Sequence, residues 1–596
     1  MRRFAPLIAV LVLAVVLRLV GVGHGFPRTE YVPDTHVVRA ALGMAKDKDP
    51  FPPVGRYSTY PSLLPYVLLP VYAGQYALGR ATGAWSGAGE YGQRLQLEPA
   101  RAHRPARVVI ALLGAGLAAA AFAALRGEGS PRRALLGAWL AATCLLAVHF
   151  AVQERPWAPL ATFALLACWP AARYLDHGRP RSLMACAACA ALAAASHQAG
   201  LPMLGLAGLA WLLGPLPWRA WRARLAHGVA AVAVFAFVAL ALGYNAQLVH
   251  GAPERAAIAG SELVAEGAAV GDLSIGGQAI VFDLRSASFV RLGRALLGYD
   301  PAIVALALVG LVAALRSRSG RVPTLFALGW LAFFTTNQND HVRYLLPGVA
   351  LLVVPAAFGA ERLLAGGAAA RMALALLLCL PLVQSGRLAW LLTRPDTRAV
   401  AEVLLAAAPP DGVVAIDRYG PVPAAHAASL ERIAQWRSLG ARESLAREAI
   451  AAGLVEDGAV DWVPLGDLFV FDERHRGWDF APSRPAALAD AVTADELLDR
   501  LGVTHVLLVD RDTSDDRPSL LVDPQPALPY ERGPAAGRLA PKLAPLALAP
   551  APAWTLGELG AEQRLPTELD FPLTNLWRCS QPGPRLALYE RARAAR

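Results

Sequence analysis

Charge is scarce in this sequence. Asp, Glu, Lys and Arg make up 17% of its 596 residues, apolar residues make up 55%, and mean hydropathy is +0.40. Soluble proteins carry about one quarter charged residues, so the composition argues against a soluble enzyme and equally against a disordered chain. Lysine is nearly missing, at positions 46, 48 and 542 alone, and the formal net charge of +10 rests on arginine. Arginine that flanks apolar runs sets membrane orientation, which gives no reason to expect nucleic acid as a partner. Cysteines are few, at 144, 168, 186, 189, 379 and 579. Only the last lies beyond residue 392, so no disulfide forms within that part. Cys186 and Cys189 have the spacing of a redox or metal pair, but they sit in an alanine-rich run with no second pair and read as packing residues. The chain also lacks a Walker loop, a Gly-x-Gly-x-x-Gly after a strand and a His-Glu-x-x-His. Those absences argue against an ATP-driven pump and a membrane zinc protease.

What is present is a series of apolar runs. A span needs about 20 such residues, and runs fall near 5–22, 105–125, 134–150, 157–174, 183–196, 199–214, 226–244, 300–315, 322–337, 344–364 and 371–392. The first follows Met1-Arg2-Arg3 like a signal peptide, but it has no Ala-x-Ala site and reads as a retained span. A twelfth candidate, 61–79, is decided by counting arginines. If it does not span and the N-terminus is cytoplasmic, Arg126/Arg132/Arg133, Arg173/Arg179/Arg181, Arg219/Arg222/Arg224, Arg316/Arg318/Arg321 and Arg362/Arg371 all fall inside. The short outer connections then keep only Arg155 and Arg343, the bias expected of a membrane protein. Segment 61–79, with Tyr60, Tyr66, Tyr72 and Tyr76 on or beside it, is therefore read as an interfacial helix in a long outer loop, 23–104.

The expectation is a polytopic α-helical membrane protein of about eleven transmembrane helices over 1–392, followed by an extracytoplasmic soluble α/β domain over 393–596. Within the latter, 396–407 reads as a helix with Asp396 as N-cap, and 494–501 as another. Val413-Val414-Ala415-Ile416 and Val503–Val509 read as buried strands. The Pro-, Ala- and Leu-rich stretch 524–553 reads as a loop.

On this topology the unusual polar residues near membrane level collect on the outer face. Asp34, in Tyr31-Val32-Pro33-Asp34-Thr35-His36, fits a helix N-cap and also a general base toward a hydroxyl delivered from outside. Glu154, in His149-Phe150-Ala151-Val152-Gln153-Glu154-Arg155-Pro156, is either a surface pair with Arg155 or a functional acid, since charges at membrane level tend to mark sites. Asn337-Gln338-Asn339-Asp340-His341-Val342-Arg343-Tyr344 opens a span. Its Arg343 either snorkels or grips a lipid phosphate with parallel N–H bonds. Asp47-Lys48-Asp49 has the Asp-x-Asp form of metal-dependent sugar transferases, but a three-residue match is cheap and no metal is expected.

Taken in order, these motifs resemble one family. Pro33-Asp34 before an alanine-rich helix, then Asp49-Pro50 and Tyr60-Pro61-Ser62-Leu63, is similar to the first outer loop of the protein O-mannosyltransferase and aminoarabinose transferase superfamily, GT-C glycosyltransferases that use polyprenyl-phosphate sugars. His149-Phe150-Ala151 with Glu154 and Pro156 resembles the second outer loop. Ser196-His197-Gln198-Ala199-Gly200 stands where the family has a Lys-Tyr-x-Gly turn. His341-x-Arg343-Tyr344-Leu345-Leu346-Pro347 resembles the outer Arg-Tyr-Leu-x-Pro element. Pro395-Asp396-Thr397-Arg398 and Gly583–Tyr589 resemble the start and the closing strand of the family's extracytoplasmic domain. This sequence departs from the pattern in Thr35 for an acid, Glu154 for Asp and His197 for Lys.

The resemblance implies a GT-C fold and an inverting transfer from a lipid-linked sugar to an acceptor that is a protein, a lipid or a glycan. Asp34 and Glu154 would be catalytic. Arg343, His341, Tyr344 and Tyr60 would hold the lipid phosphate, and His36, His149, Arg155 and His197 would contact the acceptor or support those groups. No cofactor is implied beyond the polyprenyl-phosphate sugar itself. Two other readings remain: a transporter or flippase of lipid-linked sugar, which would favour acids in mid-span and internal repeats, and a non-catalytic membrane-anchored binding protein.

Overall fold

The computed structural model describes residues 4–26, 36–52, 56, 60–127, 130–250, 274–275, 278–279, 287–336, 342–417, 420–436, 438–439, 441–472, 477–480, 488, 491, 493–510, 552–557 and 572–591. Helices come first: α1 (Ala5–Leu19), α2 (His36–Asp47), α3 (Leu63–Ala81), α4 (Ala88–Leu97), α5 (Pro99–Arg126), α6 (Pro131–Thr143), α7 (Leu145–Ala151), α8 (Trp157–His177), α9 (Pro180–Ser196), α10 (Leu204–Leu213), α11 (Trp221–Leu242), α12 (Asn245–His250), α13 (Ala287–Tyr299), α14 (Pro301–Arg316), α15 (Arg318–Thr336), α16 (Leu346–Leu364) and α17 (Ala368–Leu391). A two-residue hairpin, β1 (Ser274–Ile275) and β2 (Gln278–Ala279), precedes α13. All eleven apolar runs are helical. Among the described residues, however, only four helices are long and apolar enough to span alone, or six if each of two bent pairs is one span. The expected eleven is thus reduced to four to six by length and composition. One reason is length: α1 has 15 residues and rises roughly 22 Å, short of an apolar layer of about 30 Å.

The segment expected at 61–79 is the helix Leu63–Ala81, with Pro70 inside it and Arg80 in its last turn, and it is not among the candidate spans. It buries Leu64, Leu68 and Tyr72 against α2 and α5. At the crossing of α14 and α16, a Cβ on Gly310 would lie 2.0 Å from the Pro355 carbonyl, and one on Gly359 would lie 2.0 Å from that of Leu306. Only glycine permits so close a backbone approach.

Two breaks shape the bundle. α6 and α7 bend by 52° at Cys144, and α13 and α14 by 95° at Asp300. A break inside an apolar bundle strands carbonyls on one side and amides on the other. Here they are matched from other helices. Arg18 of α1 donates to the carbonyls of Ala141 and Ala142 at 3.0 and 2.9 Å, and Ser385 of α17 to that of Thr143 at 2.8 Å. On the other side, the Asp300 carboxylate accepts the amides of Leu145 and Leu146 at 2.9 and 3.1 Å and the Cys144 thiol at 3.4 Å. One broken helix is therefore capped by the residue at which the other breaks.

Beyond α17 the chain continues with α18 (Thr397–Ala407), β3 (Val413–Ile416), α19 (Ala427–Trp436), α20 (Ala441–Ala451), β4 (Trp462–Pro464), β5 (Phe469–Asp472), β6 (Gly477–Phe480), α21 (Ala494–Arg500), β7 (Val503–Asp510), β8 (Trp554–Leu556), α22 (Pro572–Arg578) and β9 (Arg585–Glu590). Asp396 caps α18 as its sequence suggests, accepting the Arg398 amide at 2.9 Å. A mixed sheet has the order β4-β3-β7-β9-β8, with β3 parallel to β4 and β7, and β9 antiparallel to β7 and β8. The loop expected over 524–553 falls outside the described residues, apart from its last two.

Replacing Asp300 with Ala strands two buried amides, each costing about 1–3 kcal/mol. The Asp300→Ala protein is expected to unfold at a clearly lower temperature in detergent, and Asp300→Asn, which keeps an acceptor, to lose less. An unchanged melting temperature in Asp300→Ala would show that the cross-cap contributes nothing.

Candidate active site

The turn between α7 and α8 is a buried polar stretch: Gln153, Glu154 and Arg155 are all below 9% exposed. Pro156 opens α8, where its missing N–H costs nothing, and Trp157 follows, 1% exposed. From Trp157 an aromatic ladder runs both ways. One way, its ring lies 4.3 Å from His197, His197 lies 5.1 Å from Tyr60, and Tyr60 lies 5.4 Å from His36. The other way, Trp157 meets Tyr344 edge-on at 4.8 Å, and Tyr344 stacks on Phe334 at 5.0 Å. Such contacts each contribute about 0.5–1.5 kcal/mol beyond area burial. Tyr344 is fixed further by its carbonyl, which accepts the Trp330 indole N–H at 2.7 Å. Arg343 lies 5.7 Å over the Tyr344 ring.

His197 occupies the end of α9 with its Nδ1 accepting the Ala199 amide at 2.9 Å. Burial lowers its pKa to about 3, and the charges of Arg343 and Arg155 lower it as well. The ring is therefore neutral at pH 7, and with Nδ1 an acceptor its proton sits on Nε2, which becomes a hydrogen-bond donor. The ladder thus joins a neutral donor to two permanent cations, an arrangement that suits an anionic, hydroxyl-bearing ligand.

Of the residues singled out from sequence, His36, Tyr60, His197 and Tyr344 meet in this ladder, and Arg343 and Arg155 act on it. His149 does not join them. It lies 6.0 Å from Tyr299 and 3.2 Å from the Gln153 amide nitrogen. Asp34 and His341 fall outside the described residues. Glu154 is 1% exposed, so of its two readings the surface pair with Arg155 does not hold. Its Oε1 accepts Arg107 Nε at 2.9 Å, and its Oε2 bonds His103 Nδ1. Arg107 also donates to the carbonyls of Val22 and His24. Beside it, His24 Nε2 lies 3.8 Å from Asp396, which is paired with Arg398. This network fastens the end of α1, the start of α5, the Glu154 turn and the cap of α18 to one another. Asp47 and Asp49 are engaged elsewhere: Asp47 pairs with Arg56 at 2.6 Å, and Asp49 accepts the Phe51 amide at 2.8 Å.

Sequence reading missed Trp157, Arg107 and His103. An arginine inside an apolar run was a signal for Arg107. Nothing local pointed to its partner, 47 positions away.

Residues 100–242 match the family model described as dolichyl-phosphate-mannose-protein mannosyltransferase. The likeness read from the motifs therefore stands, and the matched segment contains Arg107, Glu154, Arg155, Trp157 and His197. No curated protein matches in sequence. Among solved structures the chain is similar to ArnT from Cupriavidus metallidurans bound to undecaprenyl phosphate, at 14% identity over 67% of this chain and 72% of that one, TM-score 0.43. It is also similar to the Archaeoglobus fulgidus oligosaccharyltransferase, at 12% identity over 84% and 69%, TM-score 0.39. For the same organism's AglB in complex with an inhibitory peptide and a dolichol-phosphate, the figures are 12%, 85% and 70%, TM-score 0.38.

Removing one member of a buried ion pair costs about 3–5 kcal/mol, because the other is left uncompensated. Glu154→Gln is expected to destabilise strongly, and Glu154→Gln with Arg107→Met to recover part of the loss. Additive losses in that double-mutant cycle would show that the two side chains are not coupled.

His24, like His197, is held neutral: burial lowers it to about 4, with Asp396 opposing and Arg107 and Arg398 adding. An unfolded histidine titrates near 6.5. Below that the unfolded chain binds protons that the folded chain refuses, so stability falls as pH falls. Melting temperature should drop between about pH 7 and pH 5, and drop less in a His24→Gln, His197→Gln protein. An equal drop in both would assign the acid sensitivity to other groups.

Proposed function

We propose that the protein is an inverting glycosyltransferase that takes a sugar from a polyprenyl-phosphate donor at the extracytoplasmic face of a membrane. The observation that carries this is the family match over 100–242, the segment that supplies Trp157, His197 and Arg155 to the ladder. In this reading the N-terminus is cytoplasmic, residues 393–596 form an extracytoplasmic domain, and α3 lies in the outer interface beside the lipid entry.

The chemistry needs a base, a phosphate grip and a positioned sugar. Asp34, two residues before His36 in the chain, takes the proton of the acceptor as its oxygen or nitrogen bonds to the sugar C1. The bond from C1 to the phosphate oxygen breaks, and polyprenyl phosphate leaves with the electron pair. Charge builds on the leaving phosphate as the sugar passes through an oxocarbenium-like state. Arg343 matches that charge. His197 presents Nε2–H to the donor without adding charge. Glu154, both of whose oxygens are engaged, acts by positioning the turn that carries Arg155 and Trp157.

Purified protein in detergent, mixed with a panel of radiolabelled polyprenyl-phosphate sugars, is expected to release polyprenyl phosphate from one of them. Asp34→Asn should abolish release while leaving the melting temperature unchanged, and Arg343→Ala should weaken donor binding by several-fold. No release from any donor by the intact protein would overturn the proposal. Full activity in Asp34→Asn would remove the base alone.

A further inference from the structure

A cavity of about 690 Å³ lies between α3 and the start of α5. Its origin is local. Pro105 has no N–H, so the Arg101 carbonyl one turn earlier in α5 loses its helical partner. Gln75 of α3 supplies the bond instead, donating from Nε2 at 3.0 Å, and Tyr72 donates to the Ala102 carbonyl at 2.7 Å. These two bonds hold α3 beside the proline-containing turn of α5.

The lining has two ends. Arg101 and Arg104 stand one turn apart in α5, and Val108 and Val109 follow them one turn deeper, with Val71 of α3 opposite. Glu98 pairs with Arg101. Arg104 has its guanidinium 5.4 Å from the Phe26 ring and, among the described residues, no carboxylate within ion-pair distance. Two cations and one acid leave a single positive charge at the mouth. α5 is also one of the candidate spans, so the valines lie on the membrane side of the arginines.

We propose that this cavity binds an anionic phospholipid of the surrounding bilayer, with the phosphodiester on Arg104 and Arg101 and an acyl chain along Val71, Val108 and Val109. One net positive charge complements one phosphodiester, and the aliphatic wall below it complements a hydrocarbon tail. A sugar-loaded polyprenyl phosphate has the same phosphodiester-on-hydrocarbon chemistry. The resident phospholipid is favoured because none of the ladder residues lines this cavity. The bound lipid would bridge α3 and α5 and steady the helix that follows Tyr60.

The test is native mass spectrometry of the delipidated full chain, titrated with phosphatidylglycerol, phosphatidylcholine or polyprenyl phosphate. Phosphatidylglycerol should be retained and phosphatidylcholine should not. Arg101→Gln with Arg104→Gln should weaken retention about tenfold or more, as expected for a lost charge-assisted bond. Arg104→Glu, a single change at an exposed helical position, should do the same without unfolding, and Arg104→Lys should retain most of the binding. Equal retention of phosphatidylglycerol in wild type and Arg104→Glu would overturn the site, as would retention of phosphatidylcholine at the same level. Displacement of phosphatidylglycerol by polyprenyl phosphate in the wild type would assign the cavity to the donor. Sugar release measured on the same variants separates this outcome from failure of the glycosyltransferase reading, because that reading places no catalytic group at Arg101 or Arg104.

Discussion

An interrupted helix inside an apolar bundle has to find hydrogen-bond partners elsewhere, and at Cys144 that requirement organises the protein. Three carbonyls at the end of α6 and two amides at the start of α7 are matched by Arg18, Ser385 and Asp300, from α1, α17 and the α13–α14 break. None of these partners is near in sequence, so the first helix, the last membrane helix and the second broken pair are brought together by one defect. Without the bend, α7 would continue along α6. The Glu154 turn and Trp157 would then not arrive where His197 and Tyr344 meet them.

Downstream of that bend, two buried polar systems divide the work. The Glu154–Arg107–His103 group and the His24–Asp396–Arg398 group are built almost wholly of matched charges, and matched charges in a low dielectric specify geometry more than they add stability. The ladder around Trp157 is the reverse, aromatic and neutral with two arginines acting on it from its edge. The two cations beside His197 help to keep that histidine neutral. Glu154, the acid of the same turn, is engaged by Arg107 and His103.

Much of this was legible in the sequence because it is local. Apolar runs marked all four helices that could span alone, Asp396 marked the start of α18, and short β-branched segments marked β3 and β7. Candidate site residues with a ring or a cation beside the ends of apolar runs (Tyr60, His197, Arg343, Tyr344) converge, because those ends meet at one level of the bundle. What was not legible is pairwise and distant. Cys144 carries no proline or glycine to announce a bend, and the acid that caps α7 lies far along the chain. Glu154 sits next to an arginine in sequence, yet its buried partner is another one. Eleven apolar runs also yield only four to six candidate spans among the described residues, since length and composition are separate demands.

The last described segment of the chain closes earlier ones. Arg387, near the end of α17, donates to the carbonyls of Leu576 and Cys579. Thr397 bonds the carbonyls of Pro582 and Pro584, and Gly583, at φ +103, packs where any side chain would strike Asp396 and Thr397. β9 then fills the place between β7 and β8. A ribosome makes these partners well after the junction they complete. Until they are made, the junction at 387–398 stays incomplete. The nascent protein therefore has a long interval in which its membrane part is inserted but its junction is open, and in that interval chaperones and proteases at the membrane surface would compete with folding.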